Sequence, residues 1–148
     1  MKKISKKILY REHSPYNKIT DKVDQNIWFE VETQMNRGPD SKDVDKNLVE
    51  LFNKHRDDSM PDDRGNPSSG CIWINDSKKG EILNVEIGEI ETHEIGYTKY
   101  RGSTGAFPSY LGPSAIGEVF KVVKIIDKKI IWNDKLSIPI KPMIGVVG

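Results

Sequence analysis

The sequence predicts a mainly β domain of sandwich-like architecture that contains one short helix. Two observations predict this fold class. About six to nine stretches either alternate apolar and polar residues or concentrate β-branched residues, as strands do. Turn-forming residues separate them at roughly 8 to 12 positions, which is typical of sandwiches and barrels rather than of alternating β-α units. The length of 148 residues suits one domain, which we assign to residues 1–148.

The first third of the chain contains two predicted strands. A short apolar stretch, Lys7 to Tyr10, precedes a polar segment, residues 11–24, that is rich in turn-forming residues. From Ile27 to Met35, apolar and polar residues alternate strictly. This period of two predicts a half-buried strand with one apolar and one polar face, and Gln34 belongs to the polar face.

The one predicted helix covers about residues 43–54. Ser41 suits the N-cap position, because its hydroxyl can accept a hydrogen bond from a free backbone N–H of the first turn. Asp43 and Asp45 lie near that turn, where the helix dipole favours negative charge. The apolar residues of the segment occur at helical spacing: Val44, Leu48, Leu51 and Phe52.

Two more strands are predicted after a polar loop, residues 55–69. The first is Cys71 to Ile74, and the second is Glu81 to Glu91, where the alternation returns. Three side chains of the second strand are predicted to face inward: Leu83, Val85 and Ile87. Residues 93–100 either extend this strand or begin another one.

The last third is the most strand-like part of the chain. Glu118 to Ile126 and Ile130 to Trp132 are joined by Asp127-Lys128-Lys129, which predicts a hairpin. The end of the chain, residues 139–148, is apolar, whereas free ends are normally polar and frayed. Two interpretations stay open: a last strand tucked into the sheet, or a strand of a core that other residues complete.

Composition argues against several classes of protein. The net charge is +1 and no basic stripe is present, so we expect no nucleic-acid partner. The one basic cluster, Lys2 to Lys7, is interpreted as a solubilising terminus. A single cysteine and the lack of a long apolar stretch favour a cytoplasmic protein that neither forms disulfides nor enters a membrane.

Few residues form a recognisable chemical motif. The histidines, His13, His55 and His93, lack the spacing of a metal motif. Cys71 is interpreted as an inert core residue, with a nucleophile as the alternative. The loop around Asp63 and Asn66 brings carboxylates and an amide before a strand, which suits either a solvated loop or a loop that binds substrate or metal.

Three stretches together resemble the acetamidase/formamidase family. Asn66 to Ile74, a polar turn and the strand Glu81 to Ile87 resemble that family's Asn-Pro-Ala-Thr-Gly-Pro-aliphatic-aromatic-Val run and its Val-Glu-Ile strand. Phe29 to Thr33 resembles its early Glu-Thr strand, and Ile138 to Gly148 resembles its Ile-Pro-x-x-Pro-Met-Ile-Gly-Val-Ile-Gly segment. The resemblance covers the N-terminal half of the longer family members. This sequence lacks the Asp that commonly follows the Glu-Thr strand in family members. Nothing in it matches the Gly-Gly-Asn-Met-Asp-like motif found later in those members.

The resemblance implies a β-sandwich-type fold and the hydrolysis of a short aliphatic amide, such as formamide or acetamide, to a carboxylate and ammonia. Such chemistry needs an activated water or nucleophile and a group that stabilises the oxyanion. A divalent metal, Zn²⁺ or Ca²⁺, is a cofactor compatible with this need. We expect Asp63, Asn66 and His93 to be catalytic, and His13 and Asn66 to contact the substrate.

Three hypotheses follow from the resemblance. In the first, the chain is one half of an amidase that works with a second chain carrying the C-terminal half. In the second, it is a non-catalytic binding or assembly subunit derived from the same fold. In the third, it is a truncated remnant. An oligomer is expected, since an apolar strand edge left unpaired invites aggregation.

Overall fold

A computed structural model of the protein describes residues 1–34, 46, 47, 50, 54, 67–101 and 118–147. Ten strands lie within this part of the chain, and the mainly β prediction is confirmed. Their bounds are β1 Lys2–Ile4, β2 Leu9–Tyr10, β3 Asp21–Val23, β4 Phe29–Val31, β5 Ser68–Ser69, β6 Ile72–Ile74, β7 Ile95–Arg101, β8 Glu118–Ile126, β9 Lys129–Asn133 and β10 Leu136–Pro139.

Most of the helix predicted over residues 43–54 lies outside the described residues. Four positions of that segment are described and have helical backbone: Lys46, Asn47, Glu50 and Lys54. In the described part of the chain, no helix has the length and apolar character needed to cross a membrane.

The chain forms two compact units. Unit 1 comprises residues 1–37, 56–89 and 145–148, and unit 2 comprises residues 38–55 and 90–144. The assignment of residues 1–148 to a single domain stays a prediction.

Unit 1 contains three two-stranded ladders. β1 pairs in parallel with β4, β2 pairs antiparallel with β5, and β3 pairs in parallel with β6. Each parallel ladder buries the last residue of its first strand, Ile4 in β1 and Val23 in β3. Burying an aliphatic side chain of this size contributes about 1.5–3 kcal/mol. These two residues therefore anchor short ladders that have few hydrogen bonds of their own.

Unit 2 contains a four-stranded antiparallel sheet in the order β10-β9-β8-β7. The predicted hairpin is confirmed as β8–β9, with Asp127 and Lys128 as its two loop residues at φ 49° and 57°. Two consecutive positive φ values are typical of the type I′ turn, whose twist matches that of the flanking strands. β7 is a strand separate from the segment before it, and its Ile95 is buried, as is Val123 of β8.

The strand predicted from Glu81 to Glu91 is absent, so this prediction is wrong. Residues 81–93 have neither strand nor helical backbone, and the side chains expected to face inward are 55%, 56% and 47% exposed at Leu83, Val85 and Ile87. Alternating apolar and polar residues make a segment suited to strand pairing. A strand forms, however, only where a second strand is available for backbone hydrogen bonds. Among the described residues, no such neighbour lies beside this segment.

The other predicted strands in unit 1 are confirmed in shortened form. The stretch Lys7 to Tyr10 yields only β2, and residues 27–34, the described part of the stretch Ile27 to Met35, yield only β4. Gln34, assigned to the polar face of that strand, is in fact buried at 7% exposure. At the other end of the chain, the apolar side chains from Met143 to Val147 are exposed rather than tucked into a sheet.

Candidate functional site

The structure describes two of the four predicted site residues. Asp63 and Asn66 lie outside the described residues, so their roles stay predictions. His93 lies in unit 2, two residues before β7, and its side chain is exposed. His13 lies in unit 1, in the loop between β2 and β3.

A surface cavity in unit 1 contains His13. Its volume is about 330 Å³, and its described lining is His13, Ser14, Pro15 and Cys71. The cavity therefore combines an imidazole, a hydroxyl and a thiol. These groups come from two segments that are far apart in the sequence and that meet only in the folded chain.

The pairing directions of the strands explain why the two segments meet. β2 pairs antiparallel with β5, with Tyr10 opposite Ser68, whereas β3 pairs in parallel with β6, with Asp21 opposite Ile72. The chain from residue 11 to residue 20 must therefore reverse direction beside the segment that joins β5 to β6. Cys71 lies in that joining segment, so the loop that carries His13 passes next to it.

Hydrogen bonds within the loop hold its shape. The backbone N–H of Asn17 donates to the carbonyl of Ser14 at 3.1 Å, and the N–H of Tyr16 donates to the Ser14 hydroxyl at 3.3 Å. Asn17 Nδ2 donates to the carbonyl of Glu12 at 2.8 Å. The Tyr10 hydroxyl closes the loop by donating to the carbonyl of Lys18 at 2.9 Å. His13 thus lies on a fixed turn.

The opposite wall of the cavity is held by the backbone of Cys71. Its carbonyl accepts hydrogen bonds from the N–H of Thr20 at 2.9 Å and from the Thr20 hydroxyl at 3.3 Å. Gly70 precedes it at φ +111°, a backbone conformation that side chains strongly disfavour, and a Cβ there would lie 3.3 Å from the Ile72 nitrogen. Glycine is therefore required at the entry to this wall.

Two of the stretches that carry the family resemblance touch each other. The Ser69 hydroxyl donates to the carbonyl of Glu32 at 2.5 Å, which joins the segment Asn66 to Ile74 to the Glu-Thr strand. The fold thus brings together, beside the cavity wall, segments that the sequence places far apart.

Cys71 is half-buried and lines a cavity. Free cysteines, by contrast, are usually fully buried and inert. His13 and Cys71 belong to separate sequence patterns, and neither pattern indicates that the two residues share a cavity. A signal existed in the turn-forming Ser14-Pro15, which marks a reversal of the chain. It does not, however, indicate which distant segment lies beside that reversal.

The N-terminal lysines form ion pairs in unit 1. Lys2 Nζ lies 2.6 Å from Asp21 Oδ1, and Lys3 Nζ lies 2.8 Å from Glu30 Oε1 and 3.1 Å from Glu32 Oε1. Both lysine side chains stay about half exposed, at 46% and 53%, and the interpretation of this cluster as a solubilising terminus stays a prediction. Both tie β1 to its neighbours, because their partners lie in or beside β3 and β4.

These ion pairs shift the pKa of several groups. The Lys2 ammonium, with help from the backbone N–H of residue 22, lowers the pKa of Asp21. Lys3, with help from the N–H of Lys6, lowers the pKa of Glu32. Glu30 and then Glu32 raise the pKa of Lys3. Hydrogen bonds to the charged form are the main cause in each case.

Solved structures of two proteins are similar to this chain. One is a recombinant predicted acetamidase/formamidase from the thermophile Thermoanaerobacter tengcongensis, with a TM-score of 0.75 and 31% sequence identity. The other is an acetamidase from Bacillus halodurans, with a TM-score of 0.64 and 18% identity, a level at which the likeness concerns the fold alone. Each match covers 97% of this chain and 44% of the other chain.

The predicted resemblance to the acetamidase/formamidase family is confirmed by these structures. The chain spans less than half the length of either one. No family model and no curated protein matches the chain.

Proposed function

We propose that the chain is part of an amide hydrolase that converts a short aliphatic amide, such as formamide or acetamide, into a carboxylate and ammonia. The observation that carries this proposal is the likeness of nearly the whole chain to a predicted acetamidase/formamidase, at 31% identity over 97% of its residues. The cavity beside His13 supports it, because 330 Å³ is ample for a molecule as small as acetamide.

The reaction adds the oxygen of a water molecule to the amide carbon, transfers a proton to the amide nitrogen and breaks the C–N bond. His13 lies at the cavity, where its imidazole can hydrogen-bond the bound amide, in line with a role in substrate binding. Asp63, Asn66 and His93 stay the proposed catalytic residues. A carboxylate or imidazole suits the activation of water, and an amide N–H suits the stabilisation of the oxyanion.

The side chains at the cavity differ in how well they suit the two candidate metals. Imidazole and thiol donors suit Zn²⁺ better than Ca²⁺, which prefers oxygen ligands. In the described part of the chain, however, no three residues among His, Cys, Asp and Glu lie close enough together to hold a metal ion. The described residues thus do not make up a metal site, and the proposed roles use the side chains of the protein alone.

We further propose that a second polypeptide carries the rest of the enzyme. The chains of the matched structures are more than twice as long as this one. Large apolar side chains of unit 1 are exposed. Further protein that covers these side chains would gain about 25 cal/mol for each Å² of apolar surface buried.

Ammonia release from formamide and acetamide tests both proposals. The purified chain is assayed alone and then together with a second polypeptide that supplies the remaining part of the fold. We expect activity only from the mixture. Activity of the chain alone contradicts the two-chain arrangement, and a stable but inactive mixture favours the alternative, a non-catalytic assembly subunit.

A further inference from the structure

An apolar segment of unit 1, residues 82–87, has no neighbouring strand among the described residues. Its large side chains are exposed to solvent, with exposed fractions of 97% at Ile82, 55% at Leu83, 56% at Val85 and 47% at Ile87. Within the described part of the chain, no backbone hydrogen bond joins it to another segment. A stretch of this kind has the sequence of a strand and lacks only a partner.

A local turn precedes the segment, and an aromatic ring lies at its end. At its start, the backbone N–H of Lys78 donates to Glu81 Oε2 at 2.7 Å, and the N–H of Glu81 donates to the carbonyl of Lys78 at 3.1 Å. At its end, the ring of Trp28 lies against Gly88, so closely that a Cβ on that glycine would be 3.0 Å from Trp28 Cζ3. The segment thus starts at a closed turn and ends against the ring of Trp28, while its middle stays unpaired.

We propose that residues 82–87 are a docking edge, onto which a second polypeptide, carrying the part of the acetamidase/formamidase fold that these residues do not span, adds a β-strand. The proposal rests on the proposed function, in that it names the place where the second chain binds. Strand addition satisfies the free N–H and C=O groups of an edge and covers its apolar side chains in one step.

The structural comparison favours the part of the fold beyond this match as the occupant. The backbone of this chain aligns over 97% of its length with a structure in which it accounts for only 44% of the residues. In that structure, therefore, an equivalent backbone coexists with further chain of more than its own length. A second copy of this chain is the competing occupant, and the experiment below separates the two.

Hydrogen exchange of the full chain tests the docking edge. The probe is the part of the Thermoanaerobacter tengcongensis protein that this chain does not cover, produced as a separate polypeptide. Because an edge strand bonds to its neighbour through every second residue, we expect the probe to slow exchange by about tenfold or more at alternate amides of residues 82–87. Uniform slowing of all these amides overturns strand addition.

A weak interface between two different species could escape detection, so the same measurement is made on a fusion. A flexible linker between the chain and the probe raises the effective concentration into the millimolar range. Alternate protection is expected in the fusion as well, and its absence there overturns the proposal. The chain alone is measured for protection that rises with its concentration. That result identifies a second copy as the occupant and overturns the proposal.

Paired substitutions test the two components of the docking edge. Val85→Lys places a charge among the apolar side chains and should weaken binding of the probe by about tenfold or more, whereas the neighbouring Glu86→Lys should change it by less than about threefold. Asn84→Pro removes a backbone N–H, and Asn84→Ala is its matched control. Because these side chains are exposed, the variants keep the fold, which circular dichroism verifies. Equal effects within both pairs contradict the proposal.

The outcomes also separate docking from catalysis. If a complex shows alternate protection but releases no ammonia from formamide or acetamide, this result supports the docking edge and contradicts the proposed function. Ammonia release by a mixture that shows no protection at residues 82–87 retains the function and contradicts the docking edge.

Discussion

Gln34 buries a carboxamide that has no hydrogen-bond partner among the described residues. The residue is 7% exposed, and both Nε2 and Oε1 are shielded from solvent. An unpaired buried amide costs about 1–3 kcal/mol, because the hydrogen bonds that it makes to water in the unfolded chain are lost. Gln34 therefore destabilises the chain in the described state.

Replacement of Gln34 by methionine, which has a similar shape but no amide, should remove this cost. We expect Gln34→Met to raise the free energy of unfolding by about 1–2 kcal/mol, measured by urea denaturation. Gln25→Met is the control, since Gln25 is exposed and its Nε2 donates to the carbonyl of Asn75 at 3.2 Å. A loss of stability in Gln34→Met contradicts the interpretation.

His13 lies on a rigid turn at the cavity, and this position predicts an effect on substrate binding. In the assembled enzyme, His13→Ala should raise KM about tenfold and change kcat much less, because it removes one hydrogen bond to the bound amide. The neighbouring Glu12→Gln should leave both constants unchanged, since the loop uses the backbone carbonyl of Glu12 and not its side chain. A fall in kcat with KM unchanged would assign His13 a catalytic role instead.

Replacement of Cys71 distinguishes the two interpretations of its thiol, a packing role and a nucleophile. If it has only a packing role, Cys71→Ala retains most of the activity of the assembled enzyme. If it is the nucleophile, the same change abolishes turnover, because no covalent intermediate can form. We expect most of the activity to be retained, and the ammonia assay decides between the two.

At the scale of elements, the β8–β9 hairpin depends on two residues with positive φ. Lys128 adopts φ 57°, a conformation that costs about 1 kcal/mol for a residue with a Cβ and little for glycine. Lys128→Gly should therefore raise the free energy of unfolding by about 0.5–1 kcal/mol. Lys129→Gly, one residue further and inside β9, should lower it, because glycine weakens a strand. Thermal denaturation of the two variants provides the comparison.

The ladders around β1 predict a dependence of stability on pH. The pKa values of Asp21 and Glu32 are lowered in the folded chain, so their stabilisation is present above the usual carboxyl pKa and is lost as the pH falls through the lowered values. The pKa of Lys3 is raised, so its stabilisation is present below the usual lysine pKa and is lost as the pH rises through the raised value. Stability should therefore be greatest between these limits.

Because these groups are exposed, salt should screen the effect. Urea denaturation across the acid range at low and high salt measures it. Asp21→Asn should flatten the acid limb at low salt and change little at high salt. An acid limb that is the same in this variant and in the unchanged chain would show that other groups control the acid response.

At the scale of the whole molecule, exposed apolar side chains are numerous in unit 1. They occur at residues 82–87 and again at Val146 and Val147, which are 69% and 61% exposed. A protein surface rarely leaves such side chains clustered without a partner. We expect the isolated chain to bind a hydrophobic dye and to aggregate as its concentration rises, without the alternate amide protection at residues 82–87 that strand addition would give.

Substitution of single side chains tests this expectation. Val146→Lys should reduce dye fluorescence and light scattering at a given concentration, because it replaces exposed apolar surface by charge. Ser137→Lys is the control, since it adds the same charge at an exposed polar position of β10. Equal effects of the two would assign the change to net charge alone.

Local patterns were sufficient to predict the mainly β class, the β8–β9 hairpin and the resemblance to an amidase family. These depend on residue order over short distances: alternation, turn-forming residues at Asp127-Lys128, and short runs such as Asn66 to Ile74. Backbone preference and turn geometry act between neighbouring residues, so the sequence records them directly.

Only the tertiary structure decided which segments find partners. The same alternation yields a strand at β4, because β1 lies beside it. It yields an unpaired segment at residues 82–87, because no strand among the described residues pairs with them. The cavity shared by His13 and Cys71 and the burial of Gln34 likewise depend on segments far apart in the sequence. The physical reason is that pairing and burial are properties of two surfaces, and a local pattern describes only one of them.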